Sequence, residues 1–125
     1  MISSCLYCGA VSNTAEHVPP RSFLEKPFPN NLVTVDACFS CNQGFSKDEE
    51  YAIALLAHIG TSEYLQAKIE PNGVVDIAFS RSPGFEQRFI DQLKTDENGR
   101  VYIEPEFDRL EKVLLKIVCG LFWLQ

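Results

Sequence analysis

The chain reads as an α+β protein, a small cysteine-stapled core followed by a mainly helical C-terminal part. Three observations carry this. Two Cys-x-x-Cys pairs, Cys5/Cys8 and Cys38/Cys41, fall in the first third. Between them Pro19, Pro20, Pro27 and Pro29 forbid a long helix or a central strand. Beyond Ser46, apolar residues recur at helical spacing in several segments.

Residues 10–37 are loop-rich, and only Leu32-Val33-Thr34-Val35 is apolar and β-branched enough to read as a strand. Ser46-Lys47-Asp48-Glu49 fits a capping box, in which the serine oxygen and Glu49 satisfy free amides at a helix start. A helix from there carries Tyr51, Leu55 and His58 or Ile59 at helical spacing and stops at Gly60, with Thr61 as a new cap. A shorter helix follows over about 62–69, ended by Pro71. Asn72-Gly73 is a turn signal, and Val74 to Phe79 reads as a strand. Ser82-Pro83 opens a helix over about 84–94, since proline is tolerated in a first turn. Asn98-Gly99 is a second turn, leading into a short strand over 100–104. Pro105 starts the last helix, with Phe107, Leu110, Val113, Leu114, Ile117, Val118 and Leu121 on one broad apolar stripe. Its apolar end, Leu121-Phe122-Trp123-Leu124-Gln125, predicts either burial against the core or a dimer partner, or a chain that continues past Gln125; the last is favoured.

With 125 residues, 46% hydrophobic and 22% charged, the chain has the composition of one folded domain and is too apolar for a disordered tail. No run of 18 apolar residues exists, which excludes a transmembrane helix. The start, Met1-Ile2-Ser3-Ser4-Cys5, lacks the basic and apolar regions of a signal peptide. A cytoplasmic protein is expected, and no membrane partner. In that compartment thiols stay reduced, so paired cysteines point to metal before disulfide.

A two-residue gap lets both thiolates of a knuckle face one ion, and two knuckles make four sulfur ligands, the structural zinc arrangement. The alternatives are two disulfides or four buried free thiols. Gly9, directly after Cys8, permits the tight turn a knuckle needs. Four cysteines leave no open position on the ion, so the role is structural, and binding energy becomes folding energy. Cys119 has no partner in the sequence and reads as a core cysteine. His58, beside Leu55 and Leu56, reads as a packed histidine. The expected division is a zinc-bound domain over residues 1–60 and a helical to mixed extension over 61–125.

Between the knuckles lie Glu16-His17-Val18-Pro19-Pro20 and Asn31-Leu32-Val33, and Asn42 follows Cys41 directly. Over residues 5–51 this ordered pattern resembles the HNH endonucleases, in the branch whose ββα-metal site is held by a four-cysteine zinc. The resemblance implies a zinc-stapled ββα-metal (HNH) core with structural Zn(2+) on Cys5, Cys8, Cys38 and Cys41. It implies that His17 is the general base taking a proton from the attacking water. Glu16 and Asn42 would be ligands of a catalytic Mg(2+) or Mn(2+), and Asn31 would hold the loop that presents His17. The reaction implied is hydrolysis of a DNA phosphodiester, one strand per site. Two positions depart from the pattern: Glu16 stands where aspartate is commoner, and Phe45 where a lysine is frequent.

The chemistry stands without the name. Phosphodiester hydrolysis needs a base near neutral pH, which histidine supplies, and positive charge beside the phosphate. Oxygen ligands such as Glu16 and Asn42 suit a hard cation. Adjacent residues of a flat strand point to opposite faces, so a turn or bulge is needed to aim both Glu16 and His17 inward. Each residue also has a plainer role: His17 a backbone-bonded loop histidine, Glu16 a solvated acid, Asn42 a helix cap, Asn31 a turn residue. Asp48, Glu49 and Glu50 are first-turn acids favoured by the helix dipole, or extra acids facing the metal.

The formal net charge of −6 works against DNA affinity, which rises with counterion release by basic residues. Residues 1–51 hold only Arg21, Lys26 and Lys47 against six acids. Three remedies are the catalytic cation, a cluster of Arg21, Lys26, Lys47 and Lys68 around the site, or grip from further sequence or a partner. The partners expected are DNA and a homodimer or protein mate on the C-terminal helix. The rival reading is a catalytically inactive zinc-binding interaction module, or a regulator that binds DNA without cutting it.

Overall fold

A computed structural model describes residues 3–123. Met1 and Ile2 of the expected leaderless start, and Leu124 and Gln125 of the apolar end, lie outside the described residues. The protein is α+β: two antiparallel hairpins, five helices and a four-cysteine cluster among those residues. No described helix is long and apolar enough to cross a membrane.

The chain divides into two compact units, residues 1–52 with 108–125, and residues 53–107. Where the sequence suggests a linear division at residue 60, the last helix groups with the cysteine-bearing segment.

In the first unit, the first knuckle is a short loop closed on itself. The Cys5 amide donates to Ala10 O at 2.6 Å and the Gly9 amide to Cys5 O at 2.9 Å. Gly9 sits at φ +79°, where an L side chain is disfavoured. Strand β1 (Thr14–Val18) pairs antiparallel with β2 (Val33–Ala37), setting Glu16 opposite Val35 and His17 opposite Thr34. A single 3-10 turn, Arg21–Phe23, lies in the proline-rich connection. The Leu6 amide donates to Asp36 O at 2.9 Å and so ties the first knuckle to β2.

Helix α1 runs Phe39–Ile59. It begins seven residues before the capping box expected to open it. Its first amide, Phe39 N, donates to Asn13 Oδ1 at 2.8 Å, a cap supplied from 26 residues away. Ser46 to Glu49 are therefore helix interior. The stop at Gly60 holds: its amide donates to Leu56 O at 2.8 Å.

The last helix, α5 (Phe107–Trp123), packs differently from its stripe. Val113, Lys116 and Gly120 are its buried residues. Lys116 is 3% exposed, whereas Leu114 is 62% exposed. The buried line is narrow because Gly120 meets Val18 of β1 with no room for a Cβ, drawing that face in. Leu114, Leu115, Val118 and Leu121 face outward, and so does Cys119, which is exposed rather than a core cysteine.

In the second unit, α2 (Glu63–Ala67) starts from Ser62, one residue after the cap expected at Thr61. Gln66 Nε2 donates to Gly60 O at 2.6 Å, satisfying a free carbonyl past the end of α1. Val74–Arg81 is helix α3, not a strand. Val75 and Ala78 are buried three residues apart, and packing at that period overrides the β-branched composition. The Asn72-Gly73 turn precedes it, with Asn72 at φ 68°. Helix α4 (Pro83–Ile90) ends before Lys94, because Leu93–Thr95 forms β3, which pairs with β4 (Val101–Ile103) across the Asn98-Gly99 turn. Phe79, Phe85 and Phe89 pack edge-on or tilted, with centroids 5.1 and 5.6 Å apart. The His58 ring lies 4.8 Å from that of Phe89 and its Nδ1 is 2.7 Å from Ala54 O. It packs as expected on one side, yet the residue is exposed overall.

Candidate metal centre and the acidic pocket

The four cysteines converge although 29 residues separate the knuckles. Cys5 and Cys8 come from the knuckle loop, Cys38 from the junction of β2 and α1, and Cys41 from the first turn of α1. Their sulfurs all lie within 4.8 Å of one another, and Cys8 Sγ is 3.7 Å from Cys38 Sγ. Tetrahedral bonds of about 2.3 Å to one ion set sulfur–sulfur edges near ~3.8 Å, so the donor set fits a tetrathiolate metal, zinc above all. Cys5 and Cys38 are buried, and with Ala37 they form a small core that Tyr7 and Cys41 pack against.

Backbone amides are aimed at the sulfurs. The Cys41 amide donates to Cys38 Sγ at 3.4 Å. At Cys5, burial raises the thiol pKa, but hydrogen bonds from the Cys38, Cys8 and Tyr7 backbone outweigh it and bring it down to about 6. Burial, with bonds shared among the neighbouring sulfurs, pushes Cys41 up to about 12. Burial likewise lifts the Tyr7 phenol to about 12. Thiolates packed this closely repel one another, and a cation relieves them, because the ligand form of each cysteine is the thiolate. This is a four-cysteine metal-binding cluster.

Beside it lies an open pocket of about 300 Å³, lined by Ala15, Glu16, His17, Pro20, Arg21, Ser22, Asn42 and Glu49. Glu16, His17 and Asn42 are thus brought to one cavity by β1 and α1. Along β1, burial alternates: Glu16 and Val18 are buried, His17 is half-buried. Asn42 Nδ2 donates to Thr14 Oγ1 at 3.3 Å, and Thr14 Oγ1 donates to Ala37 O at 2.7 Å, locking the start of α1 to both strands. Asn31 is exposed, lies two residues ahead of β2 and is not among the lining residues.

Lys116 is the residue that sequence reasoning misses. Its ammonium donates to Glu16 Oε1 and to Glu49 Oε1, with only 1% of the lysine side chain exposed. Burial pushes its pKa down to about 8. Glu16 Oε2 is buried and has no hydrogen-bond partner among the described residues. The one sequence signal is Lys116 itself, a lysine set between Val113-Leu114-Leu115 and Ile117-Val118. Asp48, one residue before Glu49, is held separately by Arg109 Nε at 2.8 Å.

No family model, no curated protein and no solved structure matches this chain.

Proposed function

We propose that the protein is a divalent-metal-dependent DNA endonuclease of the HNH type, with structural zinc on Cys5, Cys8, Cys38 and Cys41. One observation carries the reading: Glu16, His17 and Asn42 line the same pocket, on the strand and helix start that the cysteine cluster joins. In this reading His17 accepts the proton of the attacking water, since imidazole titrates near neutral pH. Glu16 and Asn42 hold a Mg(2+) or Mn(2+) ion, which supplies positive charge to the phosphate when bound. Arg21, which also lines the pocket, offers a basic group to the phosphodiester backbone. A reducing, cytoplasmic setting keeps the four thiols available to zinc.

The test is nicking of supercoiled plasmid with Mn²⁺ or Mg²⁺. His17→Ala should lower the rate at least ~100-fold, the usual share of a general base. Equal activity in wild type and variant overturns the reading.

Two observations favour a second reading. Glu16, the acid assigned to the ion, already carries the Lys116 ammonium, and the chain is acidic overall. In that reading the domain is an inactive zinc-binding module that recruits a protein on the outward apolar residues of α5, or a DNA-binding regulator. No nicking under any divalent ion supports it, and a gel shift without divalent ions separates its two forms.

A further inference from the structure

We propose that Glu16 and Glu49 form a cation seat whose resident is the Lys116 ammonium, and that a hard divalent cation takes this seat once Lys116 is removed. Glu16 is shared with the nuclease reading, but the seat stands on the pocket alone and is tested without DNA.

The seat is built from two elements and filled from a third. Glu16 comes from β1, Glu49 from α1, two turns after Asn42, and Lys116 from α5. The side chains are 7%, 13% and 1% exposed, so all three charges are largely withdrawn from water. The ammonium also lies 5.1 Å from the Phe45 ring centroid, which gives the lysine a fixed berth on its apolar side. Two carboxylates against one ammonium leave the group at −1. The surplus has a location: Glu16 Oε2 is buried and unpartnered among the described residues, on a side chain that lines the pocket with Glu49 and Asn42.

Oxygen donors in this number suit a hard cation. An ammonium brings one charge and three donors, and cannot neutralise both acids. A divalent ion brings two charges and can engage the orphaned oxygen. In the wild type such an ion has to expel Lys116, so the lysine is a built-in competitor. With Lys116→Met the stem volume is kept and the charge is lost. Two buried carboxylates are then uncompensated, which destabilises the variant. Binding of a cation to the folded form restores the loss by mass action.

The experiment uses the full zinc-loaded chain. Mn²⁺ affinity is read from the spin-resonance signal of the free ion, and thermal midpoints are taken at rising MnCl2. Manganese leaves the thiolate cluster to zinc, because soft sulfur ligands select against it. Lys116→Met should bind Mn²⁺ at least tenfold more tightly than wild type, and its midpoint should climb more steeply with MnCl2 than that of wild type. Lys116→Arg, which keeps a cation, should behave as wild type. Adding Glu49→Gln to Lys116→Met should abolish the gain. Equal or weaker binding by Lys116→Met overturns the proposal. So does a gain that survives Glu49→Gln, or a Lys116→Met chain that stays unfolded at every MnCl2 concentration. If Mn²⁺ binding follows the proposal but wild type nicks no DNA, the nuclease reading falls and the seat stands.

Discussion

Gly120 tests whether α5 docks on β1. A methyl group added there would lie 2.8 Å from Val18 Cγ2 and 3.0 Å from Cγ1. Val18 is only 3% exposed, and its branched side chain is restricted in rotamer. In an exposed helix interior, glycine to alanine would gain about 1 kcal/mol of helix propensity. Overpacking a filled site costs ~1–3 kcal/mol. Gly120→Ala should therefore lower stability by up to about 2 kcal/mol, measured as the urea midpoint at unchanged slope. Val18→Ala removes both opposing methyls, so the double variant should be more stable than the sum of the single ones implies, with a coupling of ~1–2 kcal/mol. Stabilisation by Gly120→Ala alone, with additive behaviour in the pair, would refute the docking of this face, and with it the route by which Lys116 reaches Glu16.

Two further predictions concern the same unit. Chelation, or Cys38→Ser, should release one metal equivalent per chain by mass spectrometry and remove most of the circular dichroism of the cysteine-bearing unit, because tetrathiolate zinc contributes roughly 10–16 kcal/mol to folding in small domains; full signal after metal loss would show that the cluster is dispensable. Arg109→Ala gives up the 2.8 Å bond to Asp48, the 2.9 Å bond to Lys47 O and the stacking of the guanidinium 4.6 Å over Tyr51. A cost of about 1–2 kcal/mol is expected, discounted for partial exposure, with Arg109→Lys intermediate because an ammonium cannot reproduce the fork.

What is legible in the sequence is local. The two knuckles announce themselves by spacing, and the structure gathers the four sulfurs. Gly9, Gly60, Asn72 and the Asn98-Gly99 turn act as punctuation where their chemistry says. Expectation and structure part where distant residues decide. The start of α1 depends on Asn13, whereas a local capping box points seven residues further on. Val74 to Phe79 has strand composition, but burial of Val75 and Ala78 selects a helix. On α5, periodicity marks a broad apolar face, whereas a close approach at Gly120 selects a narrow one that carries a lysine. The convergence of Glu16, His17 and Asn42 on one pocket follows from the register of β1 with β2 and the entry of α1. Lys116 lies 100 residues from Glu16, and no short-range pattern links them.

That separation has a consequence during synthesis. A ribosome would finish both knuckles, β1, β2 and α1 long before the segment carrying Lys116 emerged. In the interval Glu16 would lack its counter-charge and Val18 its cover, so the half-made protein would expose an acidic, partly greasy notch. Any cation captured there early would have to be evicted when α5 arrives.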